Sequence, residues 1–122
     1  LTTNSSVVLY STVAVKVGMP FHASVAASKG ALEGLGKSLA AELAPNTRVN
    51  VIAPSITNTP LADRFLNNET KLEKSAQRHP LKRVGKAEDV ASMTRFLLSD
   101  ESSWMTGQII GLDGGMSSLN TH

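Results

Sequence analysis

The stretch RVNVIAPSITNTP, residues 48–60, begins as a near-continuous apolar run and changes into a polar loop at Pro54. Apolar runs of this length are typical of strands that are buried on both faces of a sheet. Two similar runs, VVLY at 7–10 and QIIGL at 108–112, lie on either side of it in the sequence. We therefore predict three short buried strands, with a loop directly after the middle one.

Helical patterns separate these strands. Apolar residues recur at steps near 3.6 residues from Val25 to Leu43, and Pro45 ends the pattern. A second pattern predicts a helix from about Ala87 to Ser99, with two acidic residues in its favourable first turn. Because strands and helices alternate, we expect parallel strands with right-handed crossovers, which is an α/β fold.

The composition narrows the class of protein. The chain has 122 residues, 41% of them hydrophobic and 18% charged, which suits one globular domain or part of one. Its 12 basic and 10 acidic residues argue against nucleic-acid binding, and the lack of cysteine excludes disulfides and thiolate metal sites. Neither His79 nor His122 has carboxylates at metal-ligand spacing, so we expect no metal.

The sequence also bears on location. We find no apolar run near the roughly 18 residues that a membrane span needs. The stretch LTTNSSVVLY at 1–10 does not have the charged and then apolar build of a signal peptide. We therefore expect a cytoplasmic protein without membrane contact.

The connection at residues 60–82 is long for an α/β fold. More than twenty residues separate the middle strand from the next helix, and connections of this length are often functional lids. It starts where open α/β sheets bind ligands, at the carboxyl end of a strand. We predict a lid over 60–82; the alternative is a solvated helix pair that only packs.

The first helix is rich in small residues. Its three glycines, Gly30, Gly34 and Gly36, cost about 1 kcal/mol each relative to alanine. This cost indicates that a sheet, a cofactor or another subunit's helix packs close to its backbone. Charged pairs at i, i+4, such as Lys29 with Glu33, are expected on the exposed side.

Three segments resemble the C-terminal half of the short-chain dehydrogenase/reductase family. They are SKGALEGLGKSLAAELAP at 28–45, RVNVIAPSITNTP at 48–60 and HPLKRVGKAEDVASMTRFLLSDESSWMTGQIIGLDGG at 79–115. The resemblance implies a Rossmann-like, doubly wound parallel sheet, of which the three predicted strands would be the fifth, sixth and seventh, adjacent in the sheet. The family's glycine-rich turn does not occur here. Residues 1–122 are thus interpreted as the C-terminal half of a single domain in a longer protein; a stand-alone half-domain is the alternative.

In the family, a tyrosine passes a proton to the substrate oxygen, and a lysine four residues later lowers the tyrosine's pKa and binds the nicotinamide ribose. Lys29 is similar to that lysine, but Val25 occupies the tyrosine position. The family's serine, about thirteen residues before the tyrosine, corresponds to Thr12, with Ser11 as a second candidate. Side chains alternate along a strand, so only one of these two should face the site.

His22 is a candidate for a relocated proton donor, because it lies on the same helical stripe as Val25 and Lys29. The positive end of the helix and the nearby lysine both disfavour its cationic form. A lone histidine before a helix is more often a capping or packing residue.

The resemblance also implies a nicotinamide cofactor, NAD or NADP. Pro54 and Thr59 match the family's cofactor loop, whereas Ser55 replaces a glycine and Thr57 replaces an aliphatic residue. Serine tolerates unusual backbone angles less well than glycine. Cofactor-binding residues would be Lys29 and these four.

The resulting prediction is an NAD(P)-dependent oxidoreductase acting on a small carbonyl or alcohol substrate, with an atypical site that lacks the tyrosine; the 122-residue chain alone would be inactive. The alternative is an inactive nucleotide-binding or oligomerisation module.

The usual assembly of the family implies a homodimer or homotetramer, with Ala27 and Gly34 near the two-fold axis and the leucines of the first helix facing the sheet. Trp104 is expected in the core or in a subunit contact, and Arg83 as a structural hydrogen-bond donor.

Overall fold

The computed structural model describes residues 4–121, apart from the side chain of Arg64. A parallel sheet is formed by β1 (Ser5–Tyr10), β2 (Thr47–Pro54) and β5 (Ile109–Leu112), in the order β1-β2-β5. The middle strand pairs with both others, for example Val7 with Val49 and Val51 with Ile109. The three predicted strands, their adjacency and the α/β class are therefore confirmed.

Two long helices cover the two faces of this sheet. Leu9 and Val51 are register partners and lie beneath helix α1 (Ala23–Leu43), where both approach Gly36. Ser6 points to the opposite face, where its hydroxyl donates to the carbonyl of Leu97 in α4 (Ala87–Leu98) at 2.6 Å. Helices on both faces explain why β2 is buried over most of its length.

Between β2 and α4 the chain forms smaller elements: α2 (Asp63–Leu66), α3 (Glu69–Gln77) and the two-residue parallel strands β3 (Thr57–Asn58) and β4 (Gly85–Lys86). The side chain of Asn68 caps α3 by accepting from the Lys71 amide at 2.8 Å. Within the described part of the chain, no helix is long and apolar enough to cross a membrane.

The face of α1 that contacts the sheet contains small residues as well as leucines. Its buried residues are Gly36 and Ala40, whereas Leu35 is 52% exposed. A Cβ at Gly36 would lie only 2.9 Å from Cγ2 of Val51, so the helix backbone rests directly on the strand. The expectation that the leucines face the sheet is wrong for Leu35, whereas Leu32, Leu39 and Leu43 are half-buried beside these small residues.

Trp104 is also not a core residue. Its side chain is 99% exposed, so the expectation of core packing is wrong, while a subunit contact stays a prediction. The neighbouring loop is fixed by its backbone instead: Arg48 donates to the carbonyls of Ser102 at 2.7 Å and Met105 at 3.3 Å. These bonds hold the loop against β2 without using the indole.

Candidate functional site

A cleft of about 550 Å³ opens where the sheet strands end. Because β1, β2 and β5 are parallel, their carboxyl ends meet at one edge of the sheet, which is where open α/β sheets bind ligands. Most of the predicted site residues line this cleft: Ser11, Thr12, His22, Pro54, Ser55, Thr57 and Thr59. The fold thus brings together two segments that lie about forty residues apart in the sequence.

Lys29 lies beside the cleft rather than in its lining. Its ammonium donates to the carbonyl of Tyr10, the last residue of β1, at 3.2 Å. The side chain is half-buried, and Val25 lies one turn earlier on the same helix, 45% exposed. The lysine charge is therefore held at the strand end that leads directly into Ser11 and Thr12.

Both Ser11 and Thr12 line the cleft, although alternation predicts only one. The strand ends at Tyr10, so alternation no longer applies beyond it. Their hydroxyls nevertheless differ, since Ser11 is buried and donates its proton to the carboxylate of Glu33. The Thr12 oxygen accepts from the amide of Ala14 at 3.3 Å, which leaves its own proton available for a substrate oxygen.

Glu33 was missed by sequence reasoning. It was expected on the exposed side of α1, but it is half-buried and accepts the hydrogen bond of Ser11. The i, i+4 spacing between Lys29 and Glu33 favoured a surface ion pair. No sequence signal links Glu33 to Ser11, which lies 22 residues away.

His22 precedes α1 but does not cap it. Its Nδ1 lies 2.7 Å from the carbonyl of Pro20, and a carbonyl only accepts, so Nδ1 carries a proton. In the neutral ring Nε2 is then an acceptor. The residue is exposed on the cleft, and it can donate a proton there only from the imidazolium form.

The loop after β2 carries the predicted cofactor residues. Ser55 donates its amide to the carbonyl of Leu112 at 3.1 Å, and the Thr57 hydroxyl donates to the carbonyl of Ser55 at 3.1 Å. Among described residues other than glycine, positive φ occurs at Asn4, Phe21 and Lys82 and not at Ser55. The replacement of the family's glycine by serine therefore causes no backbone strain at this position.

His79 is a second residue that sequence reasoning missed. It is 2% exposed; its Nδ1 lies 2.7 Å from the carbonyl of Ser75, and its Nε2 lies 2.8 Å from Oγ of Ser55. Nδ1 must be the donor, so in the neutral ring Nε2 accepts the proton of Ser55. The lid's base is thereby hydrogen-bonded to the predicted cofactor loop.

The residues after His79 pack on the turn that follows β5. Leu81 donates its amide to the carbonyl of Gly114 at 3.1 Å. Gly114 and Gly115 have φ of 60° and 88°, and a Cβ on Gly115 would lie 3.2 Å from Cγ of Pro80. The chain therefore turns sharply directly after β5. Although partial burial opposes ionisation, hydrogen bonds from Ser117 and Gly115 hold the pKa of Asp113 below its usual value.

Arg83 has the structural role predicted for it. Its guanidinium donates to Asp89 at 2.7 Å and to the carbonyl of Val84 at 3.1 Å. The hydrogen bonds from Arg83 and from the Lys86 amide lower the pKa of Asp89 to about 2. The carboxylate therefore stays ionised and fixes the start of α4.

Over residues 4–121, no group of three or more His, Cys, Asp or Glu could hold a metal; His122 lies outside the described residues.

Comparison with known proteins places this geometry in a family. A family model described as enoyl-(acyl carrier protein) reductase matches residues 1–117. The 3-oxoacyl-[acyl-carrier-protein] reductase FabG of Thermotoga maritima is 45% identical over 114 residues, covering 93% of this chain and 46% of that protein.

Solved structures give the same answer. A short-chain dehydrogenase/reductase of the glucose/ribitol dehydrogenase type from Brucella melitensis superposes with a TM-score of 0.88 at 37% identity, over 95% of this chain and 46% of that one. A 4-hydroxyisoleucine dehydrogenase complexed with NADH superposes with a TM-score of 0.87 at 30% identity. The match covers 94% of this chain and 48% of the dehydrogenase chain. The chain thus spans about half the length of the relatives it matches. It belongs to the short-chain dehydrogenase/reductase family.

Proposed function

We propose that the full-length protein is an NAD(P)-dependent oxidoreductase for a carbonyl or alcohol substrate, with an active site that lacks the usual tyrosine. One observation carries this proposal. The Thr12 hydroxyl and the threonines of the loop after β2 line a single cleft, and the ammonium of Lys29 is held beside it. Membership of a family of oxidoreductases supports the reaction class.

In this proposal the Thr12 hydroxyl donates a hydrogen bond to the carbonyl oxygen of the substrate and so polarises it. Because Val25 cannot supply a proton, the alkoxide that hydride transfer forms takes its proton from solvent water. Lys29 binds the ribose of the cofactor, and its charge stabilises negative charge that develops on the substrate oxygen. Pro54, Ser55, Thr57 and Thr59 position the nicotinamide. A bound nicotinamide would supply or accept the hydride.

The residues of the loop fit such a cofactor. Within the described part of the chain, the hydroxyl of Thr59 makes no hydrogen bond, so it can donate to a carboxamide or a phosphate. Ser55 is held from behind by His79, which keeps the loop in one position. Neither residue has to rearrange to meet a ligand in the cleft.

The second candidate is a non-catalytic nucleotide-binding or oligomerisation module, and Val25 favours it. An isopropyl group cannot transfer a proton, and general acid catalysis is commonly worth about 10²–10⁴ in rate. A third arrangement keeps catalysis and uses His22 as the donor. It requires the imidazolium form, because Nδ1 already donates to Pro20.

The test is turnover of the full-length protein with NADH or NADPH and a panel of carbonyl compounds. We expect measurable but slow reduction, far below that of tyrosine-bearing relatives, and its loss in Thr12→Val, which removes the hydroxyl at nearly constant volume. Cofactor binding without any turnover would favour the module. Fast turnover that persists in His22→Ala would contradict both the module and the relocated donor.

A further inference from the structure

The cleft has one strongly apolar wall. Two lid residues on this wall, Leu61 and Phe65, are 92% and 51% exposed, so they offer large apolar surfaces to whatever occupies the cleft. Met19 and Met116 also line it, and methionine side chains adapt to ligands of varied shape. This wall suits the apolar body of a ligand rather than a sugar or another polyol.

The described residues that line the cleft include cationic side chains but no acidic ones. Among the described lining residues there is no Asp or Glu, and the ionisable side chains are His22 and Arg78. Within residues 4–121, the guanidinium of Arg78 has neither an ion-pair nor a hydrogen-bond partner. The other arginines with described side chains, Arg48, Arg83 and Arg95, are all hydrogen-bonded. An unpaired arginine and the lack of acids both favour an anionic group in the cleft.

The backbone of Arg78 is held in place by its neighbour. His79 is buried and hydrogen-bonded through both ring nitrogens, to Ser75 and to Ser55. The Arg78 amide itself donates to the carbonyl of Ser75 at 3.3 Å. The guanidinium therefore extends from a fixed point at the cleft, and less conformational freedom is lost when it binds a ligand.

We propose that the substrate is an amphiphilic carbonyl or alcohol compound with an apolar body and a carboxylate. The body lies against Leu61, Phe65 and the two methionines, and the carboxylate pairs with Arg78. This inference rests on the proposed function and names the substrate class of the same cleft. An oxyanion for Arg78 could also come from a cofactor phosphate, and the experiment separates these two sources.

The experiment compares medium-chain oxo acids with their methyl esters, which keep the apolar body and the oxo group but lack the negative charge. For the full-length protein we expect a higher kcat/KM on the acids. Arg78→Gln should raise KM for the acids about 10-fold, a low value for a charged hydrogen bond because Arg78 is exposed, and leave KM for the esters unchanged. Lys74→Gln is the matched control, because it removes an equal charge from α3 outside the cleft lining. It should change neither value.

A second measurement does not depend on turnover. Decanoate should bind to the wild-type protein in a calorimetric titration and bind about 10-fold more weakly to Arg78→Gln. If this holds while no carbonyl compound is reduced, the oxidoreductase proposal fails and the anion site stands. Equal use of acids and esters by wild type and Arg78→Gln would overturn the substrate class alone. Weaker NAD(P)H binding in Arg78→Gln, with an unchanged acid-to-ester ratio, would also overturn it and assign the arginine to the cofactor.

Discussion

At the scale of single residues, the proposed site departs from the family's pattern in the side chain that matters most for the chemistry. Val25 lies one helical turn before Lys29, and the ammonium of that lysine is already held at the end of β1. Residues at i and i+4 share a helix face, so a phenol at position 25 would meet the lysine. In the proposed site, the lysine, the threonine and the cofactor loop would thus surround the place of the missing tyrosine hydroxyl.

Val25→Tyr should therefore raise the carbonyl reductase activity of the full-length protein. General acids contribute about 10²-fold or more, so we expect kcat/KM to rise about a hundredfold. Position 25 is 45% exposed, so the ring can be accommodated. Val25→Phe is the matched control, because it adds the ring without the hydroxyl and should leave the rate unchanged. A rise in both variants would mean that the ring acts by packing rather than by proton transfer.

Residue types and spacing predicted part of the residues that meet at this cleft. Lys29, Thr12 and the loop after β2 could be proposed as site residues because short motifs resemble those of the family, and their roles stay predictions. Ser55 with His79 and Ser11 with Glu33 could not be, because each pair joins residues more than twenty positions apart through one hydrogen bond. Such bonds depend on how the elements pack, and packing leaves no periodic signal in the sequence.

At the scale of elements, the segment predicted to be a lid, residues 60–82, is anchored at its carboxyl end. His79 connects it to the loop after β2, and Leu81 connects it to the turn after β5. Its first part, residues 60–66, presents exposed Leu61 and Phe65 to the cleft. A fixed base and an apolar first part suit a segment that covers a ligand, as the lid prediction requires.

Removal of this anchor should destabilise the fold. His79→Ala would remove the hydrogen bonds of the ring to the Ser55 hydroxyl and the Ser75 carbonyl and would open a cavity, so the free energy of unfolding should fall by about 2–3 kcal/mol. Denaturant unfolding of the full-length protein measures the change. His22→Ala is the matched control at an exposed histidine and should cost less than about 0.5 kcal/mol. Equal losses of unfolding free energy in the two variants would show that the hydrogen bond between His79 and Ser55 does not stabilise the fold.

Near-continuous apolar runs identified the strands, and helical periodicity identified the long helices. Periodicity did not say which residues of α1 come closest to the sheet. Leucines and small residues both recur at helical spacing, and hydrophobicity alone favours the leucines. The distance between helix and strand decides instead: at Gly36 the gap to Val51 admits only a hydrogen atom.

At the scale of the whole molecule, α1 presents a row of small residues away from the sheet. Ala27 and Gly34 are exposed, and a Cβ built at Gly34 would meet nothing within 4 Å. Short side chains let two helices approach to about 8 Å, and a two-fold contact uses the same patch on both partners. We propose that the full-length protein is a homodimer or homotetramer with this row near the axis.

Gly34→Leu should disrupt that assembly without harming the fold. The new side chain meets open space within one chain but would overfill a close helix pair, so light scattering should report a smaller mass, with an unchanged circular dichroism spectrum. Gly36→Ala is the contrasting variant, because its Cβ would lie 2.9 Å from Val51 on the sheet side and should lower the melting temperature while the native mass is retained. If Gly34→Leu keeps its full mass and folds normally, the subunits meet elsewhere. Leucine also has a higher helix propensity than glycine, by nearly 1 kcal/mol. A smaller native mass of Gly34→Leu could therefore not be attributed to a weakened helix.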